Sequence, residues 1–174
     1  MRLKKLKNKL EELSTIDPLT DIHNRRYFME SVTKQMIYVC RQQGESFIIM
    51  LDLDHFKDIN DKYGHPAGDK VLIETAACIG AILRPYDIFA RYGGEEFILF
   101  VSGITKESVI QLAERIRVCI SKNQINIKSG AITITASFGI APAAPENDLS
   151  DAIALADKAL YQAKQEGRNR VVFN

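Results

Sequence analysis

The spacing of hydrophobic and polar residues predicts a chain in which helices and strands alternate. Helices are predicted where apolar residues recur every three or four positions, as Phe28, Val32 and Met36 do. Residues 47–51 form instead an unbroken apolar run of strand length, which is typical of a central strand buried on both faces. In chain order the predicted elements are helix 24–43, strand 47–51, a short helical turn, helix 67–83, two strands within 88–101, helix 106–121, strands 126–127 and 131–140, helix 149–165 and strand 171–173. Because Gly93-Gly94 is typical of a hairpin turn, we expect a mostly antiparallel sheet with helices packed on it.

Residues 1–14 have a pattern of their own, with lysine and glutamate between regularly spaced leucines. The leucines are Leu3, Leu6, Leu10 and Leu13. This spacing predicts either one amphipathic helix lying on its own domain or the end of a coiled coil that pairs two chains. Two heptads are too short to be stable alone. We expect 1–14 to be a linker helix, which follows a sensory or regulatory domain outside this chain, and 15–174 to be one domain.

Composition narrows the class of protein. The 174 residues include 23 Lys and Arg against 22 Asp and Glu, which argues against a nucleic-acid binder, and 46% are hydrophobic, which argues against disorder. The sequence has neither an apolar run of the roughly 18 residues that span a bilayer nor a signal peptide. Cys40, Cys78 and Cys119 lie far apart without a C-x-x-C pair. We therefore expect a cytoplasmic domain with buried thiols and neither a disulfide nor a zinc site.

Two pairs of acidic residues carry the strongest chemical signal. Asp52 and Asp54 end the buried strand and point the same way, while Glu95 and Glu96 follow the Gly93-Gly94 turn. Carboxylates held this close repel one another unless a cation offsets their charge, and hard oxygen ligands suit Mg²⁺ or Mn²⁺. The alternative is that these are ordinary surface acids beside a plain hairpin turn. In the functional interpretation, the two glycines let a phosphate approach the backbone closely.

Four segments of the chain match one known pattern in order and spacing. The most specific is 91–97, which reads Arg-Tyr-Gly-Gly-Glu-Glu-Phe. The others are Asp17-Pro18-Leu19-Thr20 with Asn24-Arg25-Arg26, the segment 52–61 with Gly64-His65 and Gly68-Asp69, and 159–164 with Gly167-Arg168-Asn169. Together they resemble the GGDEF domain in its variant with Glu at the third signature position. The resemblance covers about residues 15 to 174 and implies a diguanylate cyclase.

This resemblance implies a fold and a reaction. The fold is a palm-like α/β (α+β) domain with a mostly antiparallel central sheet and flanking helices, similar to nucleotidyl cyclases and polymerase palm domains. The reaction joins two GTP into the bacterial second messenger cyclic di-GMP and releases pyrophosphate, with two Mg²⁺ or Mn²⁺ ions per active site. One domain holds one GTP, so the two-fold symmetric product implies a homodimer. The helix of 1–14 would then hold two catalytic domains near each other.

Roles for individual residues follow from the resemblance. Asp52, Glu95 and the backbone carbonyl of Leu53 hold the metals, and Glu95 or a water takes the proton of the attacking hydroxyl. Glu96 supports the catalytic site or forms a hairpin salt bridge. The phosphate-binding candidates are Lys57, Lys164, Arg168, Gly93 and Gly94, and the nucleoside-binding candidates are Asn60, Asp69 and His65. Asp69 favours GTP over ATP because a carboxylate accepts from the guanine N1–H and N2 amino groups.

Three further residues suggest control by the product. Arg84 and Asp87 fit R-x-x-D just before the signature, which in the family is the product-inhibition site. Arg115 on the following helix is a candidate second phosphate contact. The alternative is a local salt bridge between Arg84 and Asp87.

Two other functions are open to this sequence. One is a catalytically inactive module that only senses GTP or cyclic di-GMP, although such members usually lack the acidic signature. The other is a cyclase that acts on ATP, against which Asp69 argues. Two residues near the start have smaller roles: Asp17 is expected to be a structural cap, and Asp21 stands where the family often has glycine.

Overall fold

The computed structural model describes residues 15–42, 44–143 and 148–174, so the predicted leucine helix of 1–14 lies outside the described residues. The strands are β1 (His23–Asn24), β2 (Ser46–Leu53), β3 (Ile88–Gly93), β4 (Glu96–Ser102), β5 (Ile125–Ile127), β6 (Gly130–Ile132), β7 (Ala136–Pro142) and β8 (Val171–Phe173). The helices are α1 (Arg25–Arg41), α2 (Phe56–Tyr63), α3 (His65–Gly80), α4 (Lys106–Lys122) and α5 (Leu149–Gln165). Within these described ranges, no helix has the length and apolar character needed to cross a membrane.

Six strands form one sheet in the order β1-β3-β4-β2-β7-β8, and β5 and β6 pair separately. The inner pairs β3–β4, β4–β2 and β2–β7 are antiparallel, whereas the outer pairs β1–β3 and β7–β8 are parallel. This confirms the predicted mixed α/β fold with a mostly antiparallel central sheet and flanking helices.

Strand β2 is the centre of the molecule, and all eight of its residues are buried. Successive side chains of a strand point to opposite faces. Ile49 and Leu51 therefore pack with α2, α3 and α4 on one side, while Ile48 and Met50 pack with α1 and α5 on the other. Each fully buried aliphatic side chain contributes about 1.5–3 kcal/mol. The strand end that carries Asp52 is consequently held between two apolar layers.

Helix α5 lies very close to strand β7. At Gly139, a Cβ would collide with the backbone of Ala156 and Leu160 in α5, so this contact requires glycine. Asp148 caps the start of this helix, because its carboxylate accepts the backbone N–H of Asp151 at 2.9 Å. The close contact places the last turn of α5 beside the end of β2.

The structure corrects two predicted boundaries. Helix α3 spans His65–Gly80 and not 67–83, because Pro66 is accommodated in its first turn, where no backbone N–H is needed. The predicted strand 131–140 is two strands in different sheets, since β6 pairs with β5 while β7 pairs with β2. The local pattern of apolar and polar residues predicts a strand but does not predict the strand with which it pairs.

The two cysteines of α3 and α4 form a disulfide, so the expectation of separate buried thiols was wrong. Cys78 and Cys119 are 41 residues apart, yet the packing of α3 against α4 brings their Cα atoms to 6.6 Å. That separation lies within the range that a disulfide spans. Both residues are half-buried, and their spacing along the chain carries no sign of the proximity.

Candidate active site

A pocket opens where β2 ends, between the β3–β4 hairpin and the last turn of α5. We call it the acidic pocket. Its lining residues are Asp52, Leu53, Asp54, His55, Phe56, Lys57, Asp58, Glu95, Lys164 and Arg168. The structure therefore brings together all three predicted metal ligands and all three predicted phosphate-binding cations, from segments more than one hundred residues apart.

Asp52 is a mostly buried carboxylate of the acidic pocket. Its side chain is only 12% exposed, and its Oδ2 lies 3.1 Å from Nζ of Lys164. Burial raises the pKa of Asp52, the Lys164 ammonium opposes that increase, and the carboxylates of Glu95 and Asp54 add to it. The net direction is upward, so the pocket disfavours the charged form of Asp52. A further cation would relieve this cost.

The donor atoms of this pocket fit a hard divalent cation. Asp52, Leu53 and Glu95 contribute oxygen atoms only. In the part of the chain that the structure describes, no group of three or more His, Cys, Asp or Glu side chains is placed to hold a metal. Mg²⁺ in proteins is usually bound by one or two carboxylates, and water and phosphate oxygens complete its coordination shell.

Glu96 lies beside the acidic pocket and does not line it. It stands opposite Asp52 in the antiparallel pairing of β2 with β4. Burial raises the pKa of Glu96, and the carboxylates of Asp52, Asp157 and Glu95 act in the same direction, against Lys164. Lys164 thus interacts with two carboxylates on neighbouring strands, which places Glu96 in the electrostatic surroundings of the site.

Asp54 does not share the situation of Asp52, although both line the pocket. Its Oδ1 accepts the Ser137 hydroxyl at 2.7 Å, and its Oδ2 accepts the Thr135 hydroxyl at 2.7 Å and the backbone N–H of Asn169 at 3.1 Å. Both oxygens are therefore engaged by the protein. Asp52 and Asp54 therefore line the same pocket, as expected of two residues that point the same way, but their side chains have different partners.

The predicted guanine-binding residues lie together on α2 and α3, next to the acidic pocket. A Cβ at Gly68 would collide with Oδ1 of Asn60, so the Asn60 side chain rests on the helix turn that carries Asp69. Asp69 and His65 are exposed on α3. Lys57, which lines the acidic pocket, precedes Asn60 by three residues on α2. One short helix therefore connects the two groups of candidates.

Lys164 and Arg168 reach the same pocket from different local structures. Lys164 lies in the last turn of α5, which ends at Gln165. Arg168 follows in a turn with a positive φ of 62°. Both side chains still line the pocket, because the turn folds back toward β2.

Sequence reasoning assigned no role to Arg91, although it begins the signature segment. Its Nε donates to the carbonyl of Gly94 at 2.9 Å, and its Nη1 contacts both carboxylate oxygens of Asp17 at 3.2 Å. Burial would raise the pKa of Asp17, but hydrogen bonds from Thr20 and the charge of Arg91 lower it overall. Asp17 is thus a structural residue, as predicted, and it anchors the hairpin through Arg91. In the turn that follows Asp17, Asp21 adopts the left-handed conformation with a φ of 56°.

A second pocket, which we call the arginine pocket, contains the three predicted regulatory residues. Its lining includes Arg84, Asp87 and Arg115. The Asp87 carboxylate accepts the backbone N–H of Arg84 at 2.8 Å, while the Arg84 guanidinium donates to the Tyr86 hydroxyl at 3.2 Å. Arg115 donates to the carbonyl of Ile82 at 3.4 Å. The loop is therefore closed by the Asp87 carboxylate and by the bond from the Asp87 N–H to the Arg84 carbonyl, while the Arg84 guanidinium contacts Tyr86.

The fold agrees with what comparison with known proteins finds. Residues 14–170 match the family described as "Diguanylate cyclase, GGDEF domain". The chain belongs to the GGDEF domain family.

Curated relatives in this family are much longer than the chain. Diguanylate cyclase A of Treponema denticola is 38% identical over 174 residues, which cover 96% of this chain and 46% of that protein. Response regulator PleD of Caulobacter vibrioides is 36% identical over 173 residues, which cover 96% of this chain and 38% of that protein. The chain thus spans less than half the length of these relatives.

Solved structures show the same domain. The coiled coil and GGDEF domain of DgcB from Caulobacter crescentus, in complex with c-di-GMP, matches with a TM-score of 0.88 at 32% identity, and the match covers 99% of this chain and 94% of that one. The active GGEEF domain of a diguanylate cyclase from Vibrio cholerae matches with a TM-score of 0.80 at 30% identity, over 86% of this chain and 96% of that one.

Proposed function

We propose that this chain is the catalytic domain of a diguanylate cyclase, which condenses two GTP into cyclic di-GMP and releases pyrophosphate. The observation that carries the proposal is the acidic pocket. There Asp52 and Glu95 share one lining with Lys57, Lys164 and Arg168. Carboxylates that attract divalent cations, next to cations that attract phosphates, are the combination that a nucleoside triphosphate with bound Mg²⁺ requires.

Asp52, Glu95 and the carbonyl of Leu53 would hold two Mg²⁺ or Mn²⁺ ions. When bound, such ions neutralise charge on the α-phosphate and on the attacking and leaving oxygens. Asp52 fits this role because its pKa is raised by burial and by neighbouring carboxylates. Glu95, or a water beside it, accepts the proton of the 3′-hydroxyl as that oxygen attacks the α-phosphate. Glu96 strengthens the negative field of the site from the neighbouring position.

Three cations orient the triphosphate. Lys57 and Arg168 are exposed and free to reach phosphate oxygens, whereas Lys164 is half-buried against Asp52. Lys164 would therefore exchange part of its contact with Asp52 for the phosphates when metal and GTP enter. The two glycines of the hairpin, Gly93 and Gly94, have open space where a Cβ would be, which leaves room for the phosphates near the backbone.

Asn60 and Asp69 would select guanine, with His65 beside them. Asn60 is fixed against Gly68, so its amide is held next to Asp69. The Asp69 carboxylate accepts from N1–H and the N2 amino group of guanine, a pair of donors that adenine does not offer. GTP is therefore the proposed substrate in preference to ATP.

The catalytic unit would be a homodimer in the cytoplasm, with 15–174 as the GGDEF domain and 1–14 as the linker helix. The symmetric product requires two GTP-loaded domains to face each other. The DgcB structure, which comprises a coiled coil and a GGDEF domain, supports this arrangement. The greater length of the relatives supports a further regulatory domain joined to 1–14.

Cyclic di-GMP would also inhibit the enzyme from the arginine pocket. Arg84 and Arg115 contribute two guanidinium groups and Asp87 one carboxylate to a single lining. Guanidinium groups bind phosphates and guanine edges, and a carboxylate pairs with guanine. Progress curves test this role: the wild-type reaction should slow as product accumulates, whereas Arg84→Ala should proceed at its initial rate. Equal slowing of both proteins would contradict it.

The main test is incubation with GTP and Mg²⁺ followed by nucleotide chromatography. The wild type should convert GTP to cyclic di-GMP and pyrophosphate, and Glu95→Gln should be at least about a thousandfold slower. Glu30→Gln is the matched control, because Glu30 is an exposed carboxylate on α1 outside both pockets. A wild type that binds GTP without turnover would identify the alternative function, a nucleotide-sensing module. Equal turnover of ATP would remove the proposed role of Asp69.

A further inference from the structure

The turn between α5 and β8 carries Arg168 in an unusual backbone conformation. Gly167, Arg168 and Asn169 have φ values of 114°, 62° and 45°. For arginine the left-handed region is less favourable than the right-handed one, because it brings Cβ close to the following carbonyl oxygen. Such conformations persist only where the surroundings hold them. The position of the Arg168 side chain in the acidic pocket therefore depends on whatever fixes this turn.

Three hydrogen bonds join the turn to other segments, and a fourth, from the Arg170 guanidinium to the carbonyl of Arg168 at 3.3 Å, lies within it. The Arg168 N–H donates to the carbonyl of Ala163 at 3.0 Å, and the Arg117 guanidinium donates to Oδ1 of Asn169 at 2.8 Å. The third bond runs from the Asn169 N–H to Oδ2 of Asp54 at 3.1 Å. Among these bonds of the described residues, this one connects the turn to the residue that directly follows β2, the strand that carries Asp52.

Asp54 is built as a fixed acceptor. It is 5% exposed, and the hydroxyls of Ser137 and Thr135, each at 2.7 Å, orient its carboxylate from β7 and the residue just before it. The backbone N–H of Asp54 also donates to the carbonyl of Thr135 at 2.8 Å. Hydrogen bonds to a charged acceptor are short and strong, so a carboxylate held from two sides is a rigid support for the turn.

We propose that Asp54 is a positioning residue that holds Arg168 against the triphosphate through the backbone of Asn169. The inference rests on the proposed function, since it requires that the acidic pocket bind a triphosphate. Asp54 lies two residues after Asp52, and Asn169 directly follows Arg168. One carboxylate thus sets the distance between the metal-binding acid and the phosphate-binding cation, without contacting the substrate.

The test is a double-mutant cycle on the affinity for 3′-deoxy-GTP with Mg²⁺, a ligand that lacks the attacking hydroxyl. Arg168→Ala should weaken binding about tenfold, and Asp54→Ala should weaken it by a similar factor. The double variant should bind within about twofold of Arg168→Ala, because both changes remove the same contact. A purely structural role of Asp54 would instead make the two losses multiply, to about a hundredfold, and would overturn the inference.

Two conservative variants separate geometry from general damage. Asp54→Asn keeps an oxygen for Thr135 and Asn169 and turns an N–H toward Ser137, whose hydroxyl can accept it, so binding should stay within about threefold. Thr135→Val removes one of the two hydroxyls that orient Asp54 and leaves the bond from Asn169, so it should weaken binding by less than Asp54→Ala does. A tenfold loss in Asp54→Asn, or a larger loss in Thr135→Val than in Asp54→Ala, would contradict positioning through Asn169.

Asp54→Ala leaves two hydroxyls without their acceptor, and it is therefore the variant most exposed to misfolding. The combination Asp54→Leu, Thr135→Val and Ser137→Ala removes the whole polar group with little change of shape, and the same cycle with Arg168→Ala is then measured in that background. Non-additivity with Arg168→Ala is again expected, and additive losses again overturn the inference. Failure of the wild type to bind 3′-deoxy-GTP would overturn the proposed function as well, and so differs from additive losses in a protein that binds.

Discussion

The acidic pocket and the arginine pocket differ in charge and in how their side chains are held. The lining of the acidic pocket has four carboxylates against two lysines and one arginine, whereas that of the arginine pocket has two arginines and one carboxylate. In the acidic pocket, Asp52 and Lys164 lie on the end of a central strand and in the last turn of a packed helix. In the arginine pocket, Arg84 and Asp87 lie on a loop that is closed by hydrogen bonds between these two residues.

This difference separates two kinds of anion binding. Excess negative charge on rigid elements repels a bare phosphate and admits it only together with cations, so the acidic pocket suits a triphosphate with Mg²⁺. Excess positive charge on a surface loop binds phosphate groups without a metal. The comparison predicts that changes in one pocket leave ligand binding in the other intact. Three of the four experiments below test this prediction, and the fourth tests the anchor of the hairpin.

The largest effect is expected from Asp52→Asn. Loss of this charge removes a proposed metal ligand, and turnover of GTP should fall by about a thousandfold or more, or about 4 kcal/mol in the barrier. Affinity for cyclic di-GMP, measured by calorimetry, should remain within twofold. Asp61→Asn, an exposed acid of α2, is the matched control and should keep normal turnover. A parallel loss of product affinity in Asp52→Asn would show that the pockets are coupled.

Gly139→Ala should disturb the acidic pocket from behind. The new Cβ collides with the backbone of Ala156 and Leu160, so α5 must move away from β7 and take Lys164 with it. Overpacking of this kind costs about 2 kcal/mol of unfolding free energy, measurable by urea denaturation. GTP turnover should fall while product affinity stays constant. Gly80→Ala is the control, since a Cβ there meets open space and should not destabilise the protein.

Arg115→Ala should affect only the arginine pocket. Removal of one of its two guanidinium groups should weaken cyclic di-GMP binding about tenfold, or about 1.4 kcal/mol. The initial rate of GTP turnover should be unchanged, because Arg115 does not line the acidic pocket. A reduced initial rate without any change of product affinity would show that Arg115 acts on the acidic pocket and would contradict the prediction.

The smallest effect concerns the anchor of the hairpin, Asp17. Its pKa is lowered in the folded protein, so the charged form contributes stability above the unfolded value of 3.8, and that stability is lost as the pH falls through the lower folded value. Asp17→Asn should cost about 1 kcal/mol at pH 7 in urea denaturation, and the difference from the wild type should shrink in acid. Asp21→Asn, which changes an exposed acid in the same turn, is the control and should keep the stability of the wild type at pH 7.

Most of the helices and strands were predictable because burial leaves a periodic trace. The apolar run of 47–51 predicted β2, and the apolar spacing of Phe28, Val32 and Met36 predicted α1. These three side chains of α1 are all buried. The candidate residues of both pockets were also predictable, since motif spacing identifies them one by one. Their roles as metal ligands, substrate contacts and regulatory contacts remain predictions until the experiments above are done.

Periodicity and motifs failed where a contact joins distant segments. They did not separate Asp52 from Asp54, two acids of one short segment, because the difference lies in partners 81, 83 and 115 residues away from Asp54. They also missed the link of Arg91 to Asp17 and the bond between Cys78 and Cys119. Alternating hydroxyls at Thr133, Thr135 and Ser137 in an otherwise apolar stretch were the one available sign of a polar partner.

By itself the sequence determined which stretches are buried, where the hairpin turns and which residue types gather in the signature, because these depend on local burial and backbone preference. Tertiary packing alone decided that Asp52 pairs with Lys164 in the acidic pocket and that Asp54 supports the turn at Asn169. A hydrogen bond forms only when folding brings donor and acceptor within about 3 Å, and no local pattern encodes that distance.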